Sequence, residues 1–255
     1  MTTLQHALAG GLRAAPREGS RGRGSDGAVL VAGAVGRIGE ALLNRVLAEE
    51  AGRGHAGGRG TRGVLALASA PMALGLSGLR LASLDDLPAL DSAFIVLNDS
   101  ADGEARSFHG RDAPFVLVDE LNCLHVARRA VECGARRLVL ISPTPAWRQI
   151  GRFHAGLADS VELEIARLPL DSLVVLRPVR NSRRPGASFV ERIVSAYLSV
   201  QLLMMPRSLE AITSEKLARC AVAAMRDARP GVSVFPADAI AGLLEVAAAP
   251  VQCAP

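Results

Sequence analysis

Residues 28–46 read AVLVAGAVGRIGEALLNRV, and this stretch decides the fold. Ala28–Ala32 is a short apolar run typical of a buried strand, and the residues after the last glycine of the stretch repeat apolar side chains at helical spacing. Between the two runs, Gly33, Gly36 and Gly39 follow one another at intervals of three residues. The stretch therefore predicts a strand, a glycine loop and a helix in immediate succession.

Such a loop is suited to binding a pyrophosphate, because a helix N-terminus presents backbone N–H groups and the positive end of the helix dipole. We expect Gly33 to allow the tight turn, Gly36 to let phosphates approach the backbone, and Gly39 to let the helix pack closely. The predicted ligand is NAD or NADP, and a turn that keeps its shape without a ligand is the alternative. The predicted binding residues are Gly33, Ala34, Val35, Gly36, Arg37, Ile38, Gly39, Ser69 and Asn98.

The composition restricts the class of protein. Of 255 residues, 49% are hydrophobic and only 3% are aromatic, which suits an aliphatic core in a parallel sheet covered by helices. No apolar run is long enough to cross a bilayer and no secretory segment is evident, so we expect a cytoplasmic protein without a membrane partner. The net charge is +4, but the basic residues lack interleaved aromatic residues, and the sequence does not predict nucleic-acid binding. The four cysteines lack zinc-ligand spacing, so no metal site is predicted.

The rest of the chain alternates between strand and helix patterns. We expect a flexible leader over residues 1–26, a Gly-rich mobile loop over 51–63, and a single domain over 27–250 whose C-terminal lobe begins at about 181. The alternation predicts an α/β fold, a doubly wound parallel sheet (Rossmann) with a small C-terminal α-rich extension. Predicted strands cover 64–68, 78–84, 93–97, 136–141, 172–176 and 232–235, and predicted helices cover 87–90, 115–134, 157–168, 189–204, 213–224 and 238–248.

The ends of two predicted strands carry the remaining binding candidates. Ser69 follows the second strand, where an acidic residue favours NAD and an arginine favours NADP, yet neither stands there. Arg37, Arg59 and Arg62 are candidates for contacting a 2′-phosphate, and the alternative is that all three are solvated. Asn98 follows the fourth strand at the edge where open α/β sheets bind ligands, with ordinary turn chemistry as the alternative.

Several segments, in this order, resemble the atypical short-chain dehydrogenase/reductases, with the Tat-interacting-protein-like and NmrA-like oxidoreductases as the most similar groups. The resemblance implies a Rossmann fold and NAD(P) binding at Gly33, Gly36 and Gly39. The segments are VLVAGAVGRIG at 29–39, RRLVLIS at 136–142, LVVLRP at 173–178, SEKLARCAVAAM at 214–225 and GVSVFP at 231–236.

The same resemblance implies a Tyr-x-x-x-Lys pair that handles the proton and holds the nicotinamide ribose, and this chain lacks that pair. Its one tyrosine is Tyr197 and its one lysine is Lys216, so the spacing cannot occur anywhere in the chain. Ser142 matches the family's serine after the fifth strand. His154 is a candidate proton donor with Ser142 orienting a substrate, and a surface histidine is the alternative.

Three functions remain open at this point. The first is an NAD(P)-binding protein without standard catalysis that acts as a dinucleotide sensor or a regulatory or assembly partner, alone or as a homo-oligomer. The second is an NAD(P)-dependent oxidoreductase with a non-standard proton donor. The third is a scaffold with an empty cleft, which a dinucleotide titration separates from the other two.

Overall fold

The computed structural model describes residues 27–57, 63–69, 78–98, 114–144, 160–179, 212–240 and 242. Within these ranges the chain alternates strands and helices, as the sequence predicts. In chain order the elements are β1 (Ala28–Ala32), α1 (Gly36–Gly57), β2 (Val64–Leu67), β3 (Leu79–Ala82), β4 (Leu90–Val96), α2 (Cys123–Glu132), β5 (Arg137–Ile141), α3 (Ser160–Ala166), β6 (Ser172–Arg177), α4 (Ser214–Arg226) and β7 (Gly231–Pro236).

The seven strands form one parallel sheet in the order β3-β2-β1-β4-β5-β6-β7. The chain builds outward from β1 to β3 and then returns to the other side of β1, where Val31 is paired with Ala66 of β2 and Phe94 of β4. This strand order confirms the predicted doubly wound sheet. The point where the direction of winding reverses, between β1 and β4, is where open α/β sheets bind ligands.

Hydrophobic clusters cover both faces of the sheet, which explains why its central strands are predominantly apolar. Successive side chains of β1 point to opposite faces, so Val31 and Leu30 belong to two separate hydrophobic clusters. The first cluster includes Leu42 of α1 and Leu217 of α4, and the second includes Val126 of α2. The glycine loop therefore leaves a strand that is fixed from both sides.

Helix α1 extends further than predicted, because it runs to Gly57 and takes in much of the segment 51–63 that the sequence assigned to a loop. Charged pairs one turn apart support this extension. Arg53 contacts Glu50 at 2.6 Å and Glu49 at 3.7 Å. The glycine and arginine content of the segment therefore misled the prediction.

Two predicted helices are wrong in whole or in part. Residues 87–90 are not helical, since Leu90 begins β4, and the preceding turn is closed by Ser83 Oγ, which donates to Asp86 Oδ2 at 3.1 Å. The helix predicted over 115–134 begins only at Cys123. His125, in the first turn of α2, is exposed.

The residues before α2 form a turn instead of a helix. Asp119 Oδ1 accepts hydrogen bonds from the backbone N–H groups of Leu121 and Asn122, both at 3.0 Å. An aspartate that binds backbone N–H groups two and three residues ahead favours a turn over continuation of a helix. The helical spacing of Val118 with later residues was therefore coincidental.

The described part of the predicted C-terminal lobe belongs to the layers of the sheet. Helix α4 begins after Thr213, whose Oγ1 accepts a hydrogen bond from Lys216 N at 3.4 Å, and packs against α1. Strand β7 confirms the prediction for 232–235 and pairs with β6. Residues 237–240 are helical, and the predicted helix 189–204 lies outside the described residues. No helix in the described ranges combines the length and apolarity needed to span a membrane.

Candidate functional site

The glycine loop leaves the carboxyl end of β1 and turns directly into α1. Gly33 and Gly36 both adopt left-handed backbone angles, with φ of 75° and 77°. Residues that carry a Cβ rarely adopt this backbone conformation, so the φ angle by itself favours glycine at both positions. The tight turn predicted at Gly33 is present.

The space around the three glycines differs. A Cβ on Gly33 would lie 2.1 Å from the carbonyl oxygen of Val96, and one on Gly39 would lie 2.3 Å from the carbonyl oxygen of Gly33. A Cβ on Gly36 would have only Asn98 Nδ2 within 4 Å, at 3.9 Å. Gly33 and Gly39 therefore permit close packing inside the protein, whereas Gly36 borders open space.

The first turn of α1 carries no acidic side chain that would oppose an anion. Ala34 and Val35 are buried, so a ligand at the loop would meet their backbone and not their side chains. Ile38 is half-buried and packs against the first hydrophobic cluster. Arg37 is exposed, which makes it the only basic side chain of the loop and first turn that solvent reaches freely. The field at the loop thus favours an anion.

Asn98 lies two residues beyond β4 and contacts the loop through its side chain. Its Nδ2 donates to the carbonyl oxygens of Val35 at 2.8 Å and Gly33 at 3.3 Å. Its Oδ1 accepts from Val118 N at 3.2 Å, and its backbone N–H donates to Val118 O at 2.7 Å. Since the amide has two N–H donors, both are used within the protein.

The segment 114–118, which we call the strap, crosses the carboxyl edge of the sheet from β2 to β4. Phe115 forms an antiparallel bridge with Ala68, directly after β2, and Ser69 N donates to Pro114 O at 3.0 Å. Val116 N donates to Leu67 O at 3.0 Å. Because β1 lies between β2 and β4, the strap passes over the end of β1.

The strap restricts the access of a ligand to the residues at the end of β2. Ala68, the residue before Ser69, is bridged to the strap and is only 1% exposed. Ser69 is exposed, but its N–H is bonded to the strap. The sequence analysis assigned the strap to a helix and so missed it. Its only signal was Pro114 followed by the β-prone run FVLV, in a stretch that also fits a helical period.

Ser142 lies at the carboxyl end of β5, on the same edge of the sheet as the loop. It is 6% exposed, and its N–H donates to Leu176 O at 2.8 Å. His154 lies outside the described residues, so the pairing of these two groups stays a prediction. Arg59 and Arg62 also lie outside them.

The neighbouring strand ends in a buried ion pair that the sequence analysis missed. Arg177 of β6 contacts Glu162 of α3 through two nitrogens, Nε to Oε1 at 3.1 Å and Nη2 to Oε2. Both side chains are almost fully buried. No signal in the sequence joins an arginine before a proline to a glutamate fifteen residues earlier on a separate helix.

The Cys220 thiol is unsuited to nucleophilic chemistry. Burial raises the pKa of the Cys220 thiol to about 11 against the opposing charge of Arg219, and its Sγ lies 3.6 Å from Ile240 O. A neutral, buried thiol is a poor nucleophile. Within the described ranges, no group of three or more His, Cys, Asp or Glu side chains is arranged to hold a metal ion.

Comparisons with known proteins gave matches among solved structures alone. No family model matches the chain, and no curated protein matches it. The Bordetella bronchiseptica enzyme WbmH in complex with NAD+ is 15% identical over 82% of this chain and 75% of that one, with a TM-score of 0.44. WbmG of the same organism, in complex with NAD, is 15% identical over 88% and 94%, with a TM-score of 0.37. A nucleoside-diphosphate-sugar epimerase from Agrobacterium tumefaciens is 18% identical over 67% and 58%, with a TM-score of 0.32.

Proposed function

We propose that this chain is an NAD(P)-binding protein on a short-chain dehydrogenase scaffold, without the standard catalytic pair, that acts as a dinucleotide sensor or as a regulatory or assembly partner. We place it in the cytoplasm, with residues 27–250 as one domain, and with a second copy or another protein as its partner. The observation that carries the proposal is the contrast among the three glycines of the loop.

That contrast supports a phosphate site for a physical reason. Gly33 and Gly39 are needed for packing, since a Cβ at either would overlap backbone atoms. Gly36 has no such need, because a Cβ there would meet nothing closer than 3.9 Å. A residue with left-handed φ, at which a Cβ would meet only open space, in a first helical turn that carries no acidic side chain, favours the approach of an anion.

The residues of the loop fit a dinucleotide. The backbone from Gly33 to Gly36 and the first turn of α1 would hold the pyrophosphate, and Arg37 would lie close enough to add charge. A bound nicotinamide ring supplies a hydride acceptor or donor. The chain's own contribution is to bind and orient, because it has no Tyr-x-x-x-Lys pair to hold or move a proton, and its single lysine, Lys216, is exposed on α4.

A second candidate function is an NAD(P)-dependent oxidoreductase with a non-standard proton donor. One observation favours it, which is that Ser142 stands at the carboxyl end of β5, on the edge of the sheet that carries the loop. In this case Ser142 would orient a substrate carbonyl or hydroxyl, and His154 would exchange the proton. Hydride transfer that is unchanged in His154→Ala would eliminate that role for the histidine.

Titration with NADH and with NADPH tests the proposal. We expect enhanced nicotinamide fluorescence and saturable binding in the micromolar range for at least one of the two, and no turnover on simple carbonyl substrates. Absence of binding to both would leave the scaffold with an empty cleft as the function. Substrate-dependent oxidation of either dinucleotide would instead favour the oxidoreductase.

A further inference from the structure

Asn98 connects three segments at the carboxyl edge of the sheet. It follows β4, it donates to the glycine loop through Nδ2, and it binds the strap through both Oδ1 and its backbone N–H. The residue was expected to contact a cofactor. Its Nδ2 donates to the carbonyl oxygens of Gly33 and Val35, so both amide donors are used within the protein.

The orientation of the two carbonyl groups that Asn98 binds determines whether the glycine loop attracts or repels an anion. A carbonyl oxygen turned toward a phosphate repels it, whereas a backbone N–H turned toward it binds it. A trans peptide places the carbonyl oxygen and the next N–H on opposite sides. Holding the oxygens of Gly33 and Val35 toward β4 therefore fixes the orientation of both peptide planes in the loop.

The glycines make such a restraint necessary. Gly33 and Gly36 lack a Cβ and so have access to more backbone conformations than any other residue, which makes the loop entropically expensive to order. Gly33 is additionally confined by Val96, whereas a Cβ built at Gly36 would have only Asn98 Nδ2 within 4 Å among the described residues. Asn98 is thus the side chain that borders the open part of the loop.

We propose that Asn98 is a positioning residue that holds the glycine loop in its phosphate-binding conformation and is itself held by the strap. This inference rests on the proposed function, and it adds a specific determinant of affinity that does not touch the ligand. The strap also pairs with the end of β2. Asn98 therefore connects the glycine loop, through the strap, to Ala68. Loss of the Asn98 side chain would lower the fraction of molecules whose glycine loop is in the conformation that binds phosphate.

Asn122 provides a matched control. It lies four residues from Val118, and its side chain also donates to a backbone carbonyl, Leu117 O at 3.0 Å, and accepts from a backbone N–H, Asp119 N at 3.1 Å. It does not contact the glycine loop. Asn98→Ala and Asn122→Ala therefore remove comparable hydrogen bonds, of which only the first set reaches the loop.

The experiment compares both variants with the unchanged protein in NADH and NADPH titrations and in amide hydrogen exchange. For Asn98→Ala we expect affinity to fall by about tenfold or more, with faster exchange at the amides of residues 33–36. For Asn122→Ala we expect affinity within about twofold of the unchanged protein and no change of exchange at those amides. Equal affinity and equal loop exchange in the two variants would overturn the positioning role.

The remaining outcomes are also decisive. If the unchanged protein binds neither dinucleotide, the proposed function fails, and the loop exchange alone still decides whether Asn98 orders the loop. If Asn98→Ala does not fold, Asn98→Asp replaces it, because that side chain keeps an acceptor for Val118 N and loses both donors to the loop. We expect Asn98→Asp to fold, to bind more weakly and to exchange faster at the loop. Unchanged exchange in Asn98→Asp would count against the proposal.

Discussion

Replacing Gly36 by alanine separates the binding role of the loop from its structural role. The residue has a φ of 77°, and an L-residue in that region costs about 1–2 kcal/mol. No steric term is added, because the new Cβ would meet nothing closer than 3.9 Å. For a domain of this size, the cost corresponds to a fall in Tm of about 2–8 °C. The protein should therefore stay folded.

The methyl group nevertheless points into the space where phosphates would approach the backbone. We expect dinucleotide affinity to fall by about tenfold or more, which corresponds to at least ~1.4 kcal/mol. Fluorescence titration with NADH and NADPH measures the affinity, and thermal unfolding measures the stability of the same samples.

Two further glycines serve as controls. Gly39→Ala brings a Cβ to 2.3 Å from Gly33 O and 2.7 Å from Ala34 Cα, so backbone must move, and we expect a loss of about 3 kcal/mol or more. Gly52→Ala, on the exposed face of α1 with nothing within 4 Å, should raise stability by up to about 1 kcal/mol without altering affinity. Normal affinity in Gly36→Ala would refute the phosphate site at this loop.

Three other perturbations test the architecture around the site. Thr213→Ala removes the cap that accepts from Lys216 N, and should lower stability by about 1 kcal/mol in denaturant titrations. Glu162→Ala leaves Arg177 buried without its carboxylate and should cost about 3–5 kcal/mol, whereas Glu162→Leu with Arg177→Met should be less destabilising than either single change. Burial raises the pKa of Cys220 from 9.0 to about 11, so its contribution to stability is complete below pH 9 and is lost as the pH rises through 11. Denaturant titrations over that window should show a smaller decline in Cys220→Ala.

The strongest patterns of the sequence predicted the centre of the fold correctly. β1, the glycine turn and the start of α1 were readable because a buried strand, three spaced glycines and a helical face follow one another without interruption. The strand at 231–236 was also readable, being a β-prone run between Pro230 and a helix. In both places the local signal and the tertiary role agree.

Sequence reasoning failed where local pattern and tertiary contacts disagree. Apolar residues of the strap happen to continue the helical period of α2, yet they pair with the ends of β2 and β4. The contact of Asn98 with a cofactor stays a prediction, and only the fold shows that its donors also meet the glycine loop sixty-five and sixty-three residues earlier. Contacts over such separations leave no periodic trace in a single sequence.

The strap also affects how the residues after β2 can discriminate between NAD and NADP. An acidic side chain or an arginine at that position discriminates NAD from NADP only if it can reach the ribose. Ala68 is bridged to Phe115, is 1% exposed and belongs to the first hydrophobic cluster, so a longer side chain there would enter the core. Ser69, the next residue, is exposed and carries neither determinant. We therefore propose that discrimination between the two dinucleotides depends on an arginine elsewhere. Among the described residues the candidate is Arg37, which is exposed in the first turn of α1 and carries the charge that a 2′-phosphate requires, while Arg59 and Arg62 lie outside them.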